Sequence, residues 1–109
     1  MKELKETNLP GVYLFKLKMQ EDNRGLFIKS FSQEFINSSK IDFEVKEAFF
    51  TTSNKNVIRG LHFQIDDYAQ KKLVYCHFGS ILDVVVDIRR NSPFYNEPFF
   101  YNLKGEEPY

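Results

Sequence analysis

Apolar and polar residues alternate along much of this chain, and the alternation predicts strands. From Gly11 to Met19, Tyr13, Phe15, Leu17 and Met19 fall on one parity and Lys16 and Lys18 on the other, the signature of a half-buried strand. Glu21-Asp22-Asn23-Arg24-Gly25 reads as a turn with Asn23 and Gly25 available for positive φ, and Leu26 to Ser30 as a second short strand. Ser30-Phe31-Ser32-Gln33 then offers a capping box, with Ser30 at the cap, and predicts one short helix near Ser32 to Asn37. Ile41 to Thr52 reads as extended and aromatic, Ser53-Asn54-Lys55-Asn56 as a turn, and Val57 to Gln64 as a strand. After a loop at Asp66-Asp67-Tyr68, strands are expected from Lys72 to Phe78 and from Ile81 to Ile88. A tight hairpin at Gly79-Ser80 would join them. A last strand runs from Glu97 to Leu103, with Pro98 suited to an edge.

Several short strands and one brief helix argue for an antiparallel sandwich or barrel. At 109 residues the chain is expected to form one β domain, residues 1–109. Asn102 to Tyr109 reads as a strand running into a turn, an ending expected of a longer β domain that lacks its second half.

Composition narrows the function classes. Lys+Arg 15 balances Asp+Glu 15, and the basic residues are scattered rather than gathered into a stripe. No net field draws in nucleic acid or an acidic membrane, so neither is expected as a partner. The N-terminus is charged, with no apolar signal-peptide core, and no window reaches the ~20 apolar residues of a membrane span. Cys76 is the one cysteine, which excludes an internal disulfide and suits a reducing cytoplasm. It lies in the run Leu73-Val74-Tyr75-Cys76 and reads as a small buried hydrophobe.

The residues with chemistry to offer cluster in Arg59-Gly60-Leu61-His62-Phe63-Gln64 and at Lys72. In a regular strand His62 shares a face with Ile58, Gly60 and Gln64, as the wall of a ligand cavity would. Arg59 falls on the other face unless a bulge at Gly60 redirects it. Histidine titrates where a general base must work, and a lysine near a carbonyl oxygen stabilises an enolate. Asp83 and Asp87 stand inside a valine-rich strand, facing solvent or paired with His62 or Lys72. A carboxylate on the imidazole would orient it. Arg24 and Arg59 are candidates for a diphosphate, because guanidinium binds phosphate oxygens bidentately. Phe27 and Tyr68 could stack on a base or sugar. Metal is disfavoured: His62 and His77 are the only histidines, with no carboxylate at ligand spacing from either.

Four linked motifs together resemble the dTDP-4-dehydrorhamnose 3,5-epimerase family of nucleotide-sugar enzymes. They are Asp22 to Phe27, Val57 to Gln64, Tyr68 to Val74, and Gly79 through Asp83-Val84-Val85-Val86-Asp87-Ile88-Arg89 to Ser92-Pro93. The resemblance extends from about Gly11 to Leu103. It implies a cupin-like antiparallel jelly roll, a homodimer, a nucleotide-sugar substrate, and no metal or other cofactor. It makes His62 the base that removes the proton next to a 4-keto group and Lys72 the enolate stabiliser; Asp83, from its place in the valine-rich strand, is a third catalytic candidate. Arg24, Phe27, Arg59 and Gln64 become substrate-binding residues, with Arg24 and Phe27 reaching the neighbouring subunit's site. Lys29, Glu47 and Phe49 depart from the residues usual in the family, which are Glu, Gln and Asn. The family's tyrosine acid and the aspartate that supports the histidine fall beyond residue 109. Two functions are thus expected: epimerisation at C3 and C5 of a dTDP-4-keto-6-deoxy sugar, or a catalytically incomplete sugar-nucleotide-binding or dimerisation module of that lineage.

Overall fold

Six strands and one short α-helix make up the regular structure of this computed structural model, which describes residues 3–107. Strands β1 (Glu3–Glu6) and β2 (Tyr13–Lys16) pair antiparallel, with Glu3 opposite Lys16 and Glu6 opposite Tyr13. Thr7 closes the loop between them: its hydroxyl donates to the Val12 carbonyl at 2.9 Å and accepts from the Leu9 amide at 3.1 Å. The charged sequence Glu3-Leu4-Lys5-Glu6 carries little strand signal, so β1 is an addition to the expected elements.

The run from Gly11 to Met19 is split into two strands at Leu17, which leaves the ladder and is buried. Leu17 packs with Ile36, the most enclosed side chain of the core, and Phe15, Ile28, Phe35, Phe43 and Leu73 surround them. Strands β3 (Lys18–Asp22) and β4 (Gly25–Lys29) form a second hairpin. Gly25 has φ +118, a conformation an L side chain would strain, whereas Asn23 keeps a negative φ. Helix α1 (Gln33–Ser38) follows, and its N-cap is Ser32, not Ser30: the Phe35 amide donates to Ser32 Oγ at 3.5 Å. Phe35 and Ile36 on its inner side hold it to the hairpins, with the rings of Phe15 and Phe35 edge to face at 5.9 Å.

Strands β5 (Ser80–Val86) and β6 (Pro98–Lys104) form the longest ladder, from Ser80 opposite Lys104 to Val86 opposite Pro98. Pro98 takes the first place in its strand, where its missing N–H costs least. This pairing corrects the hairpin expected at Gly79-Ser80. Gly79 does turn the chain, with φ +74, but β5 returns through the 87–97 loop to β6. The sheets are three separate two-stranded ladders among the described residues.

The strands expected at Val57 to Gln64 and Lys72 to Phe78 are likewise corrected. These segments run extended but without ladder partners among the described residues, interrupted by one 3₁₀ turn at Asp66–Tyr68. The apolar side chains from 49 to 63 stand in solvent, Phe50 at 90% and Ile58 at 92% exposure, whereas Phe43 and Leu73 pack against the core. The accessible surface is 9476 Å², against roughly 6,300 Å² for a compact monomer of this mass.

Candidate active site

Gly60 sets the local geometry of the motif segment. Its φ of +121 breaks regular pleating, so the parity that separated Arg59 from His62 does not apply. A Cβ at Gly60 would stand 3.8 Å from His62 Nδ1, so the imidazole turns back over this residue. Arg59 is braced from the other side: Nε donates to Ser53 Oγ at 2.9 Å and Nη2 to the Thr52 carbonyl at 3.2 Å. Both bonds hold an exposed guanidinium in one orientation with donors left over, which favours binding of an oxyanion.

Beyond His62 the chain lines an open cleft of about 420 Å³ with Phe63, Gln64, Ile65 and Tyr68. Gln64 and Tyr68, both singled out in the sequence, thus meet in one cleft adjoining His62 along the chain.

The two lysines of the next segment differ. Lys71 is tied to Asp42, its ammonium 2.6 Å from Oδ2 and also bonded to the Asp42 carbonyl. This holds the 66–73 stretch to the segment after α1 and pulls the Asp42 carboxyl below its usual range. Lys72 is exposed and carries no hydrogen bond or ion pair among the described residues, and the same holds for His62. Sequence reasoning gave Asp42 no role; an exposed aspartate in an extended segment carries no signal of a partner 29 residues away.

The remaining candidates lie elsewhere. Asp83 is half-buried on β5 opposite Tyr101 and forms no ion pair with His62 or Lys72. Arg24 lies in the β3–β4 turn, clamped by Asp22: Nη2 to Oδ2 is 2.6 Å and Nε to Oδ1 is 3.1 Å. Phe27 on β4 is 58% exposed, opposite Gln20. Asp87, whose side chain is 2% exposed, is satisfied by Arg89 and Ser92 rather than by His62 or Lys72. Arg89 Nε donates to it at 2.8 Å and the Ser92 hydroxyl at 2.7 Å. The Arg89 guanidinium first, then Ser92, hold its carboxyl far below the usual carboxylate range. Arg89 also donates to the Pro10 carbonyl at 3.1 Å, so this cluster joins the β1–β2 loop to the β5–β6 connection.

No three His, Cys, Asp or Glu side chains converge among the described residues, and no described helix is long and apolar enough to cross a membrane.

The family model for dTDP-4-dehydrorhamnose 3,5-epimerase matches residues 6–108, nearly the whole chain. The chain belongs to the dTDP-4-dehydrorhamnose 3,5-epimerase family. It is 39% identical over 104 residues to the dTDP-4-dehydrorhamnose 3,5-epimerase of Shigella flexneri, covering 93% of this chain and 56% of that protein. Identity to the enzyme of that name from Escherichia coli K12 is 43% over 89 residues, covering 79% of this chain and 47% of the relative. The crystal structure of the Elizabethkingia anophelis epimerase superposes with a TM-score of 0.84 at 31% identity, covering 97% of this chain and 58% of that one. A Bacillus anthracis epimerase structure with TDP and PPi bound gives 0.80 at 30% identity, covering 97% and 61%. The chain therefore spans about half the length of these epimerases. Its hairpins and short helix are the corresponding part of their cupin-like antiparallel jelly roll.

Proposed function

We propose that this chain works in the epimerisation of a dTDP-4-keto-6-deoxy sugar at C3 and C5, as expected from its family. The observation that carries the reading is the family match over residues 6–108, which takes in all four motifs. His62 is the base. A 4-keto group acidifies the neighbouring C–H, and a placed imidazole removes that proton. Lys72 sets its positive charge against the enolate oxygen, and the lack of any competing partner leaves its ammonium available. Arg59, braced by Ser53 and Thr52, and Arg24 hold the diphosphate. Phe27 stacks near the nucleotide, and Gln64 orients the sugar in the cleft.

The protein acts as a cytoplasmic homodimer in this reading, with Arg24 and Phe27 offered to the neighbouring subunit's site. The β3–β4 hairpin projects both residues into solvent, as such an exchange requires.

A second reading, a sugar-nucleotide-binding module without turnover, is favoured by one observation: no described carboxylate orients His62. Calorimetric titration with TDP, followed by incubation with the 4-keto sugar nucleotide, separates the two. Binding with proton exchange at C3 or C5 supports the enzyme, and binding without exchange supports the module. Absence of TDP binding by the folded chain overturns both.

A further inference from the structure

Lys18 and Lys29 stand directly opposite each other in the β3–β4 ladder. Residues facing each other across an antiparallel pair have Cβ atoms about 4.5–5.5 Å apart, and like charges there repel. Neither lysine has a hydrogen bond or ion pair among the described residues. Both line a cleft of about 300 Å³ between the hairpin and α1, with Ser32, Glu34, Phe35 and Ser38. Glu34 is the one carboxylate on that wall and lies beyond ion-pair distance of either ammonium, so the cleft keeps a net positive charge. The two serine hydroxyls are engaged with the helix backbone, Ser32 accepting from the Phe35 amide and Ser38 donating to the Phe35 carbonyl.

The hairpin's other face is taken by Met19, Ile28, Glu21 and Leu26, with Ile28 against the core. Strand alternation places Lys18, Gln20, Phe27 and Lys29 together on the opposite face, and at its helix end Lys18 and Lys29 border the α1 cleft. An aromatic plate and two unpaired ammonium groups thus share one side of a two-stranded ribbon. We propose that Lys18 and Lys29 form an oxyanion-binding subsite that takes a phosphate group, bridging the two ammonium groups and relieving their repulsion. The subsite is distinct from Arg24, whose guanidinium is clamped by Asp22 at the turn. The inference extends the sugar-nucleotide reading above by adding a second place for phosphate, but its geometry does not depend on that reading.

The test is calorimetric titration of the full chain with inorganic pyrophosphate. The wild type is compared with Lys18→Gln/Lys29→Gln and with Lys5→Gln, an exposed lysine on β1 outside the cleft, each checked for folding by its thermal melt. The expected result is a pyrophosphate affinity at least about tenfold weaker in the double-lysine variant, the scale of a lost charged hydrogen bond. The Lys5→Gln chain should keep its affinity. No pyrophosphate binding by the wild type, or equal affinity in the wild type and the double-lysine variant, overturns the proposal. A second titration with TDP identifies the source of the phosphate. If pyrophosphate and TDP compete, and the double-lysine variant loses TDP affinity, the group belongs to the nucleotide. If they bind together, the subsite takes a free anion. Loss of TDP binding with pyrophosphate binding intact would refute the nucleotide reading and leave the subsite standing.

Discussion

The ammonium of Lys71 lies 2.6 Å from the Asp42 carboxylate, across 29 residues of chain. Its neighbour Lys72 is left without a partner among the described residues. Adjacent lysines, indistinguishable by residue type, therefore have separate tasks: one anchors a segment and the other stays available to a ligand. Lys72→Ala should lower α-proton exchange in a 4-keto sugar nucleotide by about 10²-fold or more, as loss of an oxyanion partner does. Lys71→Ala should leave exchange within a few-fold of the parent, because an exposed ion pair contributes little. Equal losses in the two variants, followed by mass spectrometry of deuterium uptake, would reassign the role.

Acid should loosen the Asp87 cluster. Its carboxyl is held below the usual range by Arg89 and Ser92, so its folded-state pKa is lower than its unfolded one. The resulting stability is fully present above the unfolded value near 4 and declines as pH falls from there toward the folded value. Asp87→Asn removes that dependence and leaves the partly exposed Arg89 without its counter-charge. Melting curves at pH 7, 5 and 3 should show the variant several degrees less stable at neutral pH. The gap should narrow at pH 3; a gap that is constant with pH contradicts the assignment.

Ser32, rather than Ser30, should matter to α1. Ser32→Ala is expected to cost about 0.5–1 kcal/mol, toward the low end of N-cap losses because the bond is long. Ser30→Ala should cost measurably less in urea denaturation.

These corrections mark where periodicity ran out. The β3–β4 hairpin, α1, β5 and β6 were legible because alternation, a cap residue and a turn glycine each act over a few residues. Ser30 and Ser32 both stand within three residues of the helix start at Gln33, and only the actual path of the chain chose between them. Val57 to Gln64 and Lys72 to Phe78 have strand composition, but a strand also needs a ladder partner, and composition does not say where one stands. The motif residues His62 and Lys72 were legible for the same reason that their surroundings were not: their chemistry is local, while the pairing of Lys71 with Asp42 or of Arg89 with Pro10 is long-range.

Association should follow from the apolar surface. The accessible area exceeds that of a compact monomer of this mass by roughly 3,000 Å², and Leu82 and Ile88, at 58% and 49% exposure, form part of a stripe on β5 and its continuation. Unpaired ladder edges add to the tendency. Light scattering at micromolar concentration should report a dimer or a larger assembly. A well-behaved monomer would count against the homodimer.

Proton transfer from the substrate to His62 is the central claim, and solvent deuterium measures it most directly. The chain is incubated with a dTDP-4-keto-6-deoxy sugar in deuterated water and uptake at C3 and C5 is followed by mass spectrometry. The parent chain should incorporate deuterium at these carbons. His62→Ala should lose the exchange by about 10²–10⁴-fold, the usual worth of a general base. Exchange undiminished in a folded His62→Ala chain would contradict the account.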